Sequence, residues 1–416
     1  MINIKPELLA PAGNLDKLKT AFLYGADAVY IGGEEYSLRV AADNFSIEDM
    51  REGVAFAHNL GKKVYLTANI IPHNKDLKDF AAFLKEAVGT GVDAVIISDL
   101  GLFSIAREVA PELDIHVSTQ ANNVNYASAE TWYKLGAKRV ILARELSLKE
   151  ISEIRENTNP DLELEAFVHG AMCISYSGRC LLSNYMTERD SNLGACAHPC
   201  RWKYSLVEET RPGEYFPVFE NERGTFIYNS KDLCMIEHIP EMIDAGITSF
   251  KIEGRAKSAY YVAVVTNAYR MAIDAYCDNP RENYMPEQWI LDEMRKVSYR
   301  DYCTGFYYGD VADDANISYK GGYNREWDVM AVVEKWENGV AYCSQRNRFF
   351  EDDVLEAMNA GEKPFEVIAK CLRNEEGERI PDTRHPMMKF TFECETPLKA
   401  DTLLRKCRDE AARVII

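Results

Sequence analysis

The chain has 416 residues, is 47% hydrophobic and 27% charged, and carries a formal net charge of -18. That length suits one large domain plus a small one, and the acidic total argues against indiscriminate nucleic-acid binding while leaving room for a local basic surface. No apolar run approaches the roughly 20 residues of a membrane span, and MINIKPELLAPAG lacks the regions of a signal peptide, so a cytoplasmic location with no membrane partner is expected.

A recurring phrase organises the first 255 residues. GADAVYIGG begins at Gly25, GKKVYLTAN at Gly61, GVDAVIISD at Gly91, GAKRVILARE at Gly136 and GITSFKIEG at Gly246. Each is a glycine, a short polar step and a mostly apolar, β-branched run. Glycine just past an amphipathic helix is the usual left-handed cap, and the run behind it is the pattern of a strand buried on both faces. ELLAPAG near the start, DIHVSTQ at Asp114 and LELEAFVHG at Leu162 bring the strand candidates to eight, with helical segments between most of them. The pattern predicts an α/β protein built on a (β/α)8 TIM-like barrel. A doubly wound open sheet is the alternative, but no GxGxxG turn follows an early strand and no GxxxxGK[ST] loop exists.

In such a barrel the C-terminal strand ends converge on one mouth, where catalytic groups sit. In chain order those ends carry Pro11 and Gly13, Gly32 and Gly33, Asn69, Asp99, Gln120, Arg144 and Glu145, His169 and Gly170, and Glu253 with Arg255. Between the seventh and eighth strands lies an insertion, about 171–248, that holds Cys173, Cys180, Cys196, Cys200 and Cys234. Thiols gathered this densely in a reducing compartment usually bind a metal. The C-x6-C-x15-C-x3-C spacing leaves zinc, an iron–sulfur cluster and a redox thiol pair open. Six further cysteines are scattered and read as buried apolar thiols. The barrel domain is expected to span 1–306, and the short alternating strands of 307–416 predict a small C-terminal β-barrel domain.

The blocks ELLAPAGNLDKLKTAFLYGADAVYIGG, YSLRVAADNF, STQANNVN, LARELS, EAFVHGAMCISYSGRCLLSNYMTERDSNLGACAHPCRWKY, YNSKDLC and FKIEGRAKSAYYV closely resemble the collagenase-like peptidase family, peptidase family U thirty-two. The likeness runs over essentially the whole chain. Among the family's branches it resembles the prephenate-dependent tRNA uridine hydroxylases, which make 5-hydroxyuridine at the wobble position without oxygen. That resemblance implies tRNA, through its anticodon loop, as partner, prephenate as co-substrate, a [4Fe-4S] cluster as cofactor, and a related partner subunit as a further possibility. It places the cluster ligands on Cys173, Cys180, Cys196 and Cys234, with Cys200 the competing fourth.

Prephenate is a dicarboxylate, and a guanidinium meets a carboxylate in a two-bond fork. Arg39, Arg144 and Arg255 just after strands two, six and eight, and Lys251 within strand eight, are the candidate anchors. The alternative is that each arginine pairs with Glu145 or Glu253 and braces loops. His169 is the candidate acid or base, or else a neutral imidazole beneath the cluster, with Glu145 and Asn69 completing the catalytic set. Asn69, Gln120 and Asn122 are candidates for a uracil edge or for orienting the acid, and Glu253 is placed with the substrate-binding residues. The C-terminal domain, through Arg346, Arg348, Phe349 and the run LLRKCRDEAAR, is the candidate tRNA-docking module. Two other readings remain: a peptidase, against which stands the lack of HExxH, GxSxG or Asp-Thr-Gly motifs, and a noncatalytic RNA-binding protein with a structural cluster.

Overall fold

The structure is a computed structural model that describes residues 5–38, 44–172, 182–187, 189, 196–197, 199, 219–221, 224–226, 231–309 and 323–408. The chain forms two compact units, Met1–Pro286 with Arg300–Tyr323, and Glu287–Tyr299 with Asn324–Ile416.

Eight parallel strands close the first unit into a barrel: β1 (Glu7–Pro11), β2 (Ala28–Gly32), β3 (Lys63–Ala68), β4 (Ala94–Ile97), β5 (Asp114–Val117), β6 (Arg139–Ile141), β7 (Glu163–Ala171) and β8 (Ser249–Ile252). Each pairs with its predecessor, and β8 bonds both β7 and β1, which removes every free edge. The expected strands are all present. The five glycines that announce them, Gly25, Gly61, Gly91, Gly136 and Gly246, have φ between 68° and 101°, the left-handed region a helix-to-strand joint requires.

The helices are set by their caps. Ser46 with Asp49 and Ser147 with Glu150 form capping boxes, and Asn14, Asn125 and Ser258 each accept a backbone N–H from the first turn. Asp99, a polar strand end, is also a cap: its carboxylate accepts from Gly101 and Leu102 at 2.8 and 3.0 Å. After β8 the twenty-residue helix Ala259–Asp278 packs on β1 and on the helix Leu15–Leu23, burying residues on nearly all sides.

Strand β7 is long because it serves two partners. Its start lies between β6 and β8, and its end pairs antiparallel with Asp232–Cys234, putting Cys234 opposite His169. Tyr302–Cys303 continues that extension in parallel. Between the Lys251–Phe167 and Ile252–His169 pairs the register slips by one residue. A bulge of this kind reverses which face the following side chain uses.

The second unit holds β9 (Trp327–Glu337), β10 (Val340–Gln345), β11 (Val354–Met358), β12 (Phe365–Ile368), β13 (Lys370–Arg373), β14 (Lys389–Glu393) and β15 (Leu403–Cys407). The antiparallel order is β12-β11-β15-β9-β10-β14-β13. Its two edge strands, β12 and β13, are consecutive and separated only by Ala369, so the sheet curls until its ends meet, the half-barrel form of the expected small β-barrel. Asn338 and Gly339, with φ of 50° and 83°, make the two-residue hairpin between β9 and β10. Phe349, Phe390, Phe392, Leu355 and Leu404 fill the core. Glu287–Tyr299, ahead of the expected domain change at 306/307, is held in this unit by buried charge: Glu293 binds Arg405 at 2.6 Å and Lys296 binds Glu356 at 2.8 Å.

Candidate functional site at the barrel mouth

Ionic and aromatic side chains fill the barrel interior. Inward positions alternate along each strand, so Tyr30, Tyr65, His116, Arg139, Glu165, Phe167, Ser249 and Lys251 share the lumen. Glu165, fully buried, accepts from Lys251 Nζ at 2.7 Å and from Arg139 Nη1 at 2.8 Å. Arg139 also donates to Glu7 at 2.6 Å, and Tyr65 donates to the other Glu7 oxygen at 2.6 Å. Burial alone would raise the Glu165 carboxyl, but Lys251 and Arg139 outweigh it and hold it below the usual carboxylate range. The Lys251 ammonium lies 4.6 Å from the centre of the Tyr30 ring and 5.5 Å from that of Phe167. Lys251 is therefore a paired cation inside the barrel.

Above this layer Arg255 crosses from the end of β8 to the loop after β2. It donates to Ser37 Oγ at 2.5 Å, Thr67 Oγ1 at 3.1 Å and the Leu38 carbonyl at 2.8 Å. Glycine makes the crossing possible: a Cβ on Gly32 would sit 2.0 Å from Arg255 Nη1, and one on Gly13 would sit 2.5 Å from the Arg255 carbonyl oxygen. Asn69, at the end of β3, accepts from the Leu38 N–H at 3.3 Å and donates to Ser118 Oγ at 3.4 Å. Gln120 follows β5 in a short 3-10 turn, and Asn122 closes that turn in the left-handed region. Arg144 is half-buried, with its guanidinium 5.2 Å from the Phe167 ring centre and Nη1 donating to the Ala171 carbonyl at 2.8 Å. Glu145 stands beside it, with a buried Oε2 that meets no hydrogen-bond donor. The backbone N–H of Glu253 donates to the His169 carbonyl at 2.8 Å, and its own carbonyl accepts from Tyr261 at 3.0 Å. Arg39 lies outside the described residues.

His169 belongs to a different face. The bulge turns it from the lumen toward the outer helix, where its ring meets Tyr261, Tyr269 and Tyr302 at centroid distances of 6.1, 5.5 and 5.3 Å. Burial dominates its titration, and it is pushed down to about 3, so it is neutral at pH 7. Cys234 shares this face. The Tyr269 hydroxyl donates to the Val168 carbonyl at 2.7 Å, accepts from the Met235 N–H at 3.0 Å, and lies 3.9 Å from Cys234 Sγ. Asp232 fixes the strand that carries this thiol through a buried ion pair with Arg300 at 2.6 Å. Asp232 lies within the block YNSKDLC, where the cysteine alone stands out, and Arg300 lies outside every block that carries the family resemblance.

The donor chemistry fits an iron–sulfur cluster as far as Cys234 reaches. Cys234 is half-buried, its sulfur meets hydrogen-bond donors from Ile236 and Tyr269, and desolvation pushes the thiol up to about 12, so without a metal the sulfur stays protonated. Cys196 is half-buried. Cys173, Cys180 and Cys200 lie outside the described residues, and no group of three metal-binding side chains occurs among the described ones. Cys303, read as an apolar filler, lies on the strand beside Leu233 and Cys234.

The model of peptidase family U32 matches residues 13–316, and that of the family's C-terminal domain matches residues 325–405. The chain belongs to peptidase family U32. Within it, the chain is 41% identical over 408 residues to tRNA hydroxylation protein P1 of Bacillus subtilis, covering 98% of this chain and 96% of the relative. It is 41% identical over 420 residues to tRNA hydroxylation protein P of Escherichia coli, covering 91% of each. The 23S rRNA 5-hydroxycytidine C2501 synthase of Escherichia coli is 38% identical over 313 residues, 73% of this chain and 46% of that protein.

In this U32 member the C-terminal domain exposes Arg346 and Arg348 as expected, but not Phe349. Phe349 is buried in the core, 5.5 Å from Phe390, and cannot stack on a base; the neighbouring Phe350 is the exposed ring, and Arg348 covers it at 4.9 Å. Arg348 and Arg384 both pair with Asp382, while Arg346 bonds Ser344 Oγ at 2.7 Å. In the basic run, Arg405 is fully buried against Glu293 and Glu356, Lys406 pairs with Asp353 and Arg408 with Asp328. Among the described residues, no helix is long and apolar enough to cross a membrane.

Proposed function

We propose that this chain hydroxylates the wobble uridine of tRNA to 5-hydroxyuridine, without molecular oxygen and at the expense of prephenate. The observation that carries the reading is identity of 41% along 98% of the chain to a tRNA hydroxylation protein. A [4Fe-4S] cluster would be held by Cys173, Cys180, Cys196 and Cys234, with Cys200 the alternative to Cys234. Such a cluster supplies one-electron chemistry when bound.

The chain's own residues receive and orient the two substrates. A base reached from the anticodon loop must leave its stack to enter a barrel mouth, and the polar rim of Asn69, Ser118, Gln120 and Asn122 offers hydrogen bonds to replace those lost. Arg39, Arg144 and Arg255 are the candidate anchors for the acid's carboxylates, Arg255 through exchange of its bonds to Ser37, Thr67 and the Leu38 carbonyl. Lys251 lies beneath Arg255 with its charge paired by Glu165, and the aromatic walls of Tyr30 and Phe167 exclude water, which strengthens each charged contact. His169, neutral and behind the wall, orients the strand and the thiol beside it. The decisive assay incubates anaerobically purified protein with unmodified tRNA and digests the RNA for mass spectrometry. The product requires prephenate; product formed equally well without it would remove the acid from this reading.

A further inference from the structure

The second unit carries a surface that the barrel chemistry leaves unused. Asp382 is buried, its side chain 3% exposed, and its carboxylate holds two arginines at once. One oxygen accepts from Arg384 Nε at 2.7 Å; the other accepts from Arg348 Nε at 3.2 Å and from Arg348 Nη2. Both arginine side chains are nonetheless 55% exposed, so each is held by its Nε side and presents the end of its fork to solvent. Arg348 lies over the ring of Phe350, 4.9 Å from its centre, and Phe350 is itself 49% exposed. The backbone fixes that ring in place, bridging antiparallel to Asp382 and donating to Asp353 Oδ2 at 2.9 Å.

The loop that brings Arg384 is fixed as well. The buried Gln345 donates to the Thr383 carbonyl at 3.1 Å and accepts from the Met387 N–H at 3.2 Å. Met387 is exposed and has φ of 61°, a left-handed conformation that strains a large side chain and that concentrates where ligands are held. Neighbouring acids are already paired, Glu351 with Arg379 at 2.8 Å and Asp353 with Lys406 at 2.6 Å. Arg346 donates to the neutral oxygens of Ser344 and Gln345. Three arginines on 346–350 and 382–387 thus share one carboxylate, a local basic surface on a chain of net charge -18.

We propose that this surface binds an unpaired nucleotide of tRNA other than the one hydroxylated, a role that rests on the tRNA-hydroxylase reading above. The base stacks on the Arg348–Phe350 pair, and its phosphate meets the open ends of the Arg348 and Arg384 forks. A guanidinium anchored on one side still offers a phosphate two parallel donors with the other. Stacking tolerates any base, and phosphate contacts fix position without reading sequence, so the surface registers the tRNA and leaves discrimination to the barrel. A run of carboxylates would meet the arginines but gives Phe350 no planar partner. The sequence points to Phe349 for this role; the ring that meets solvent is Phe350, and Arg384 joins it through Asp382.

The test uses the full-length, cluster-containing protein with an unmodified tRNA transcript, measuring affinity across a salt series, hydroxylation kinetics and thermal unfolding. Phe350→Ala should bind tRNA about 5- to 150-fold more weakly, the loss of one base stack, with an unchanged salt slope and a KM for tRNA that rises far more than kcat falls. Phe350→Trp should restore wild-type affinity. Arg384→Gln leaves Arg348 on Asp382 and should lower the slope of log affinity against log salt by about 0.7 for the phosphate contact removed. Thermal unfolding should be unchanged in all three. Wild-type affinity in Phe350→Ala or in Arg384→Gln overturns the proposal, as does a Phe350→Trp protein as weak as Phe350→Ala or a Phe350→Ala protein that melts early. Polyglutamate binding that falls in the two variants as much as tRNA binding does would make this a surface for an acidic protein instead. If wild type binds and hydroxylates no tRNA, the tRNA-hydroxylase reading itself fails; if it binds and hydroxylates while the variants are unaffected, only the role of this surface fails.

Discussion

Arg255 lies across Gly32 so closely that a Cβ there would meet Nη1 at 2.0 Å and Ser37 Oγ at 2.5 Å. The glycine at the end of β2 is thus part of the mouth: it lets an arginine from β8 reach the opposite rim. Gly32→Ala should push the guanidinium off Ser37 and Thr67, destabilise the fold by about 1–3 kcal/mol as overpacking does, and lower hydroxylation further than Tm alone explains. Thermal melts alongside initial rates check this, and an alanine variant with unchanged rate would detach Arg255 from the site.

Glu165 and Lys251 form a buried pair whose disruption leaves a charge without compensation. Glu165→Gln should cost about 3–5 kcal/mol in denaturant unfolding at pH 7. Because the folded-state carboxyl is held below its ordinary value of 4.5, its contribution is full above that value and fades as pH falls through the folded-state value. The stability gap between wild type and Glu165→Gln should therefore narrow below about pH 4.5. A gap constant from pH 7 to 3 would contradict the assigned ionisation.

Asp232 and Arg300 place the strand of Cys234. Asp232→Asn removes one charge from a buried pair and should cost about 3–5 kcal/mol while lowering iron content relative to folded protein. Iron retained at wild-type stoichiometry would separate that ion pair from the cysteine it supports.

Among the thiols, Cys173→Ala or Cys180→Ala should give colourless protein, and Cys196→Ala and Cys234→Ala should behave alike while Cys200→Ala keeps about four irons per chain. Loss of iron from Cys200→Ala with retention in Cys234→Ala would exchange the fourth ligand.

Arg144→Lys preserves charge and loses the planar fork. If Arg144 grips a carboxylate, turnover at limiting prephenate should fall about 10- to 150-fold, the equivalent of about 1.5–3 kcal/mol, while iron and fold persist. A variant that melts earlier but turns over normally would make Arg144 a brace on Ala171.

The barrel was legible because strands buried on both faces repeat a local signal, glycine then β-branched residues, in Gly25–Gly33 and its four echoes. Contacts distant in sequence were not. Lys251 reads as a free anchor until Glu165, 86 residues earlier, is seen beside it. His169 follows the alternation of β7 into the lumen in sequence, and one bulge sends it outward. The same limit acts at Phe349 and Phe350, where a single step decides which ring is core, and at Arg405, whose burial depends on Glu293. Arg384 carried no sequence signal; its place beside Arg348 on Asp382 is visible only in the fold.

Mass spectrometry of tRNA nucleosides from cells lacking this gene, and from the same cells carrying either the wild-type gene or Cys180→Ala, decides whether the chain hydroxylates tRNA. 5-Hydroxyuridine and nucleosides built on it should disappear in the deletion, return with the wild-type gene and stay absent with Cys180→Ala. Undiminished 5-hydroxyuridine in the deletion, in cells with no second gene of this family, would contradict that activity.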